Sequence, residues 1–132
     1  MDTVKVVCGI IFKEDRILLC RRKPVKSLGG YWEFPGGKVE SSESESEALI
    51  RELKEELSMQ VEIGKHFKTA VHQYEQIQIE LIAYTCKFIQ ADFRLVDHDE
   101  IQWVRKTELL KFNLAPADIP IAEAFSLTSN IT

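Results

Sequence analysis

The chain is poor in the features that would place it outside the ordinary globular domains. Its cysteines number three, Cys8, Cys20 and Cys86, scattered and without a CxxC pair. That excludes a disulfide framework, and because two lie in apolar, strand-like runs, buried free thiols are expected. No repeat, proline-rich linker or low-complexity segment divides the 132 residues, so one domain over 1–132 is expected, long enough for a real core. There is no excess of positive charge. The net charge of −4 argues against binding a nucleic-acid polymer through a basic surface. There is no long apolar run either. Val4–Phe12 contains Lys5, is too short to span a bilayer and shows no cleavage site, so a cytoplasmic protein without membrane attachment is expected. The three histidines, His66, His72 and His98, lack metal-binding spacing and read as surface or strand residues.

What is present is the pattern of a soluble globule, 45% apolar and 29% charged. Val4–Phe12 and Arg16–Arg22 read as strands joined at Lys13-Glu14-Asp15, apolar on both faces and therefore interior. Lys23–Gly30 is a loop, and Tyr31–Phe34 a short strand stopped by Pro35. Val61 to Val71 alternates as a strand with one apolar face, with a hairpin tip at Gln73–Glu75 and a long strand over Ile77–Phe88. Phe93–Val96 and Ile101–Arg105 read as two further strands separated by Asp97-His98-Asp99-Glu100. Thr107–Lys111 is a helical turn. Ile119–Leu127 closes the chain as a helix with Pro120 in its first turn, where proline is tolerated. Strands on both sides of a central helix, with a second helix at the end, predict an α/β fold: a mixed sheet between helices.

The central helix follows Ser41–Glu47, where Ser41, Ser42 and Ser44 are candidate N-caps, Ser42 and Ser44 with a glutamate three residues on. Stepping by about 100° per residue, Leu49, Ile50, Leu53 and Leu57 form a face to bury. Glu45, Glu52, Glu55 and Glu56, with Ala48 among them, form the other, and Arg51 and Lys54 fall at its edges. A charge run of this kind is usually a solvated face. Clustered carboxylates are also the oxygen ligands that a hard divalent ion prefers.

The whole stretch decides between these readings. Gly37, five residues, Glu43, seven residues, then Arg51-Glu52-Leu53-Lys54-Glu55-Glu56-Leu57-Ser58-Met59 resembles the Nudix box, G-x5-E-x7-R-E-U-x-E-E-x-G-U with U bulky and apolar. Every fixed position matches except the last glycine, here Ser58, where the helix should end in a left-handed residue. A serine there costs roughly 1 kcal/mol if the conformation is kept. The resemblance implies an α/β/α Nudix sandwich and a hydrolase that splits phosphorus anhydrides with Mg²⁺, or Mn²⁺ in its place. It implies metal ligands at Glu52, Glu55, Glu56 and the carbonyl of Gly36, and a brace between Glu43 and Arg51 behind Gly37. Arg51 could instead touch phosphate. A carboxylate would orient or deprotonate the attacking water. Glu55, Glu56 and a later-loop residue are candidates, Asp97 being the nearest match; a polar turn is the alternative for Asp97-His98-Asp99-Glu100. Arg22 and Lys38 are candidate phosphate partners, or solvated strand ends.

Trp32-Glu33-Phe34-Pro35-Gly36-Gly37-Lys38 resembles the MutT-type branch. Asn113-Leu114-Ala115-Pro116-Ala117-Asp118-Ile119-Pro120 with Glu123-Ala124-Phe125 is similar to the branch that hydrolyses CTP. The resemblance puts Asp118 against the base. An ionised aspartate only accepts hydrogen bonds, which suits the exocyclic amine of cytosine without excluding adenine or guanine; the alternative is a cap on the last helix. Phe34 lines the base or belongs to the core, and Trp32 and Trp103 are assigned to the core. The expected substrate is a nucleoside triphosphate, CTP, dCTP or a modified pyrimidine nucleotide, taken by a monomer or homodimer. An 8-oxo-dGTP diphosphatase and a non-catalytic nucleotide-binding module are the rival readings.

Overall fold

The computed structural model describes residues 2–128. Strands β1 (Asp2–Lys13) and β2 (Arg16–Arg22) form the expected hairpin, closed at Glu14 with a left-handed φ of 57°. β3 (Trp32–Glu33) and β4 (Gly36–Lys38) follow, then helix α1 (Glu45–Leu57), β5 (Met59–Tyr74), β6 (Ile77–Ala91), β7 (His98–Arg105) and helix α2 (Ile119–Ser126). Short 3-10 turns occupy Lys106–Lys111 and Pro116–Asp118. Among the described residues no helix is long and apolar enough to cross a membrane.

The sheet has seven strands and is mixed, as expected: β1 runs parallel to β6, and the other pairings are antiparallel. Its decisive feature is how the second edge of β1 is shared. Beside the hairpin that edge pairs with β2, at Phe12 and Lys13; further along, Val6, Val7 and Cys8 pair with Lys38, Gly37 and Gly36 of β4. β2 meanwhile diverges to pair with β3 and β7. The sheet therefore forks, and Pro35 spans the fork by accepting the N–H of Gly9 at 2.9 Å.

Alternation along β1 and β2 sends side chains to two cores. Val7, Ile11, Leu18 and Cys20 pack under α1 with Ala48, Leu49, Leu53 and Leu57. Cys8, Ile10, Ile17 and Leu19 pack on the other face with Phe34, Leu109, Ile121 and Phe125 of the C-terminal segment. This is the expected α/β/α layering, and all three cysteines are buried and unpaired.

Several expectations need correction. Phe93–Val96 is not a strand; it is irregular chain leading into β7, which begins at His98 and so absorbs most of the acidic loop. The β5–β6 turn falls at Glu75 and Gln76, one step later than the expected tip. Gly36 to Lys38, after Pro35, form the short strand β4, beyond the strands expected. Ile50 is 51% exposed instead of buried. Finally, the acidic and apolar faces of α1 are not opposed. On a helix stepping by about 100°, Glu52 and Glu56 lie between Ala48 and Leu49, inside the buried arc. Glu55 lies beyond Ala48 and faces out.

Candidate active site

A cavity of about 420 Å³ occupies the fork, within the range of small-molecule sites. One end is walled by Glu52 and Glu56 of α1 with Gly36, Gly37 and Lys38 of β4. The other end is walled by Glu33, Phe34, Tyr74, Ala117 and Asp118; Arg22 and Asp97 lie along its side.

Local sequence explains how the acidic end is held. Ser44 caps α1 by accepting the Glu47 N–H at 3.1 Å, while Glu47 accepts the Ser44 N–H at 2.8 Å, the capping box read from the serine run. At the far end Ser58 does adopt the left-handed conformation, φ 51° and ψ 43°, and donates its N–H to the carbonyls of Leu53 and Lys54. The helix end is thus the one the family pattern requires, in spite of the substitution. The glycines are needed for closeness. A Cβ on Gly36 would collide with the Val7 carbonyl, and one on Gly37 with the Glu52 carboxylate.

Arg51 is the hub of the box. It donates to Glu43 at 2.6 and 2.9 Å, to the Lys38 carbonyl at 3.1 Å, to Glu52 at 2.8 Å and to Glu55 at 3.3 Å. The expected brace to Glu43 is present, and the Arg51 hydrogen bonds hold the Glu43 carboxyl down at about 2. Although Arg51 falls at the edge of the acidic face, its long guanidinium reaches two of the carboxylates, Glu52 beside it and Glu55 one turn on.

Glu55, 61% exposed and turned to Arg51, is not part of the cavity wall. Glu56 is. Burial pushes its carboxyl up to about 9, with the hydrogen-bonded Asp97 and the charges of Glu52 and Glu33 adding to the rise. Asp97 moves the other way, held below the usual carboxylate range by its bond with Glu56 and then by Lys26, whose Nζ stands 2.9 Å away. The later-loop residue picked out by its position thus does meet the helix. As they stand, the described residues include no group of three or more acidic, histidine or cysteine side chains gathered around one point. Arg51 draws Glu52 and Glu55 to itself, and Glu56 faces Asp97. The donor chemistry nevertheless fits a hard divalent cation. All of the donors are oxygens, and the Glu56 carboxyl, raised first by burial, is raised further by the neighbouring acidic charges.

At the other end Asp118 is buried and its Oδ2 accepts the Phe34 N–H at 2.9 Å. It makes no side-chain cap to α2, so the capping alternative fails. Burial, then the neighbouring Glu33, raises its carboxyl well above the ordinary aspartate value. That direction runs against an ionised, accept-only aspartate and toward a protonated carboxyl, which donates as well. Phe34 lines the cavity and also packs in the core. Arg22 reaches the cavity but is engaged by the Ser27 carbonyl at 2.8 Å and by Glu33 at 3.3 Å. Lys38 stands exposed at the cavity mouth.

Sequence reasoning missed Glu33, Tyr74 and His98. Glu33 could have been flagged as a lone acid between Trp32 and Phe34 in an otherwise apolar strand. Tyr74, which accepts the Ala117 N–H at 3.0 Å, carried no such signal. Of the two alternatives expected for it, His98 is the strand residue, the first of β7, and it is wholly buried.

The NUDIX domain family matches residues 6–124 of the chain. A CTP pyrophosphohydrolase of Escherichia coli (strain K12) is 37% identical, over 95% of this chain and 93% of that protein. An 8-oxo-dGTP diphosphatase of Proteus vulgaris is 37% identical over 61% of this chain and 75% of that protein. Among solved structures, a MutT protein from Methanosarcina mazei Go1 superposes with a TM-score of 0.86 at 26% identity, covering 94% of this chain and 93% of that one.

Proposed function

This chain belongs to the NUDIX domain family of hydrolases that act on phosphorus anhydrides, and from that premise we propose a Mg²⁺-dependent pyrophosphohydrolase of CTP, dCTP or a modified pyrimidine nucleotide. The supporting observation is the cavity itself, which joins an acidic helix face to a base-sized end lined by Asp118, Glu33 and Phe34. A nucleoside triphosphate has that polarity: a polyanion at one end and a hydrogen-bonding ring at the other.

At the acidic end Glu52, Glu56 and the Gly36 carbonyl would hold the cation, with the exposed Glu55 reaching it by rotation. A bound divalent ion offsets phosphate charge and makes its coordinated water more acidic. Arg51 and Glu43 keep the box rigid. Asp97, already ionised and anchored by Lys26, orients the attacking water as a hydrogen-bond acceptor; its lowered pKa makes it a poor proton sink near neutral pH. Glu56 is the more basic partner of the pair. Water adds to a phosphorus of the triphosphate, the bridging P–O bond breaks, and nucleoside monophosphate and pyrophosphate leave. Lys38, exposed and in the cavity lining, would meet phosphate oxygens. Arg22 contributes charge there while bonded to Glu33.

At the base end Glu33 accepts and protonated Asp118 donates. Cytosine offers the complement, an amine to the first and a ring nitrogen to the second. One such pair is worth about 1–3 kcal/mol of discrimination. Oxidised guanine also presents both kinds of group, which keeps 8-oxo-dGTP as the second reading, in line with the Proteus vulgaris relative. Pyrophosphate release from a panel of CTP, dCTP, UTP and 8-oxo-dGTP separates them. The proposal expects CTP or dCTP to lead, and Asp118→Asn to change the ranking by roughly tenfold. A lead for 8-oxo-dGTP in the unaltered protein selects the second reading. An unchanged ranking in Asp118→Asn removes that residue from base selection.

A further inference from the structure

His98 is an anomaly behind the cavity wall, in contact with the lining residue Glu33. It is wholly buried, and its Nδ1 is the buried side-chain nitrogen without a partner among the described residues. An aliphatic side chain would fill the same place without an orphaned polar atom. Its Nε2 lies 2.8 Å from Oε2 of Glu33, and Nη1 of Arg22 lies 3.3 Å from the same oxygen. The two donors arrive together because β2 and β7 slip register between Arg21 and Arg22, which makes Arg22 the cross-strand partner of His98. A bulge re-aims side chains in this way.

We propose that His98 is a positioning residue for base selection, acting through Glu33. An unrestrained glutamate spreads over several rotamers. Two donors on Oε2 fix this one and leave Oε1, which takes no bond from the described residues, for the ligand. Of the two contacts that of His98 is the shorter, 2.8 against 3.3 Å for Arg22, and so the stronger restraint. The inference rests on the nucleotide reading of the cavity, with Glu33 accepting from the amine that cytosine has and uracil lacks.

The test is a double-mutant cycle read as the ratio of kcat/KM for CTP over UTP. His98→Leu is expected to lower that ratio about tenfold, mainly through KM for CTP. His98→Gln, which keeps a donor, restores most of it. In a Glu33→Ala background His98→Leu changes the ratio by less than about twofold. Equal losses for CTP and UTP, or the same fall in ratio with Glu33 absent, overturn the proposal. If His98→Leu does not fold, His98→Asn, too short to reach Glu33, takes its place in the cycle with the same expectations. Failure of the unaltered protein to hydrolyse any nucleotide would sink the nucleotide reading and this inference together, whereas additivity sinks this inference alone.

Discussion

Glu52, Glu55 and Glu56 look equivalent in the sequence, and their surroundings separate them. Glu56 is half-buried beside Asp97, Glu52 is held between Arg51 and Gly37, and Glu55 faces solvent. Substitution should therefore be graded. Glu56→Gln is expected to cut turnover by roughly 10²–10⁴-fold with the fold retained, and Glu55→Gln by less, as steady-state rates of the two variants would show. The raised Glu56 carboxyl also sets a pH dependence. In the unfolded chain it titrates near 4.5 and in the folded chain near 9, so between those values the folded state holds the extra proton. The stability this lends is complete below the lower value and disappears as pH rises through the upper one. Without divalent ion the melting temperature should fall across that window, and in Glu56→Gln the slope should flatten. An equal slope in both proteins would mean that another group titrates. The box residues were legible because their spacing is fixed by one helix and one turn. Glu33 and His98 were not, since their roles come from strands far apart in the chain.

Among elements, α1 and β4 depend on backbone geometry at three points. Ser58→Gly should stabilise the protein by about 0.5–1 kcal/mol, because glycine enters the left-handed region without strain; chemical denaturation would measure it. Gly36→Ala should destabilise by several times that, since the obstacle is the Val7 backbone. Gly37→Ala meets a side chain, so the expected loss lies in activity through a displaced Glu52 more than in stability. The caps of α1 were readable from Ser44, Glu47 and the box pattern. The orientation of its faces was not. Angular spacing ranks positions around a helix but does not say where the buried arc begins, and the arc here takes in Ala48 and two glutamates while leaving Ile50 outside. Phe93–Val96 misled for a related reason. Its alternating apolar residues pack Phe93 against Phe88 without a neighbouring strand to pair with.

For the whole molecule, the fold class followed from the order of strands and helices, whereas the fork in the sheet did not. Sharing one edge of β1 between β2 and β4 is a tertiary choice. It makes the cavity by opening the sheet between the layer that carries α1 and the layer that ends in α2. Because ligand groups from both layers meet there, cation and nucleotide together should raise the melting temperature more than either alone, by mass action on the folded state. The claim beneath all of this is that the buried carboxylates of α1 bring a divalent ion to a polyphosphate. The direct measurement is pyrophosphate release from CTP by the unaltered protein and by Glu56→Gln, each with Mg²⁺ and with excess chelator. The account predicts release by the unaltered protein in Mg²⁺ alone. Undiminished release by Glu56→Gln, or by the unaltered protein in chelator, would contradict it.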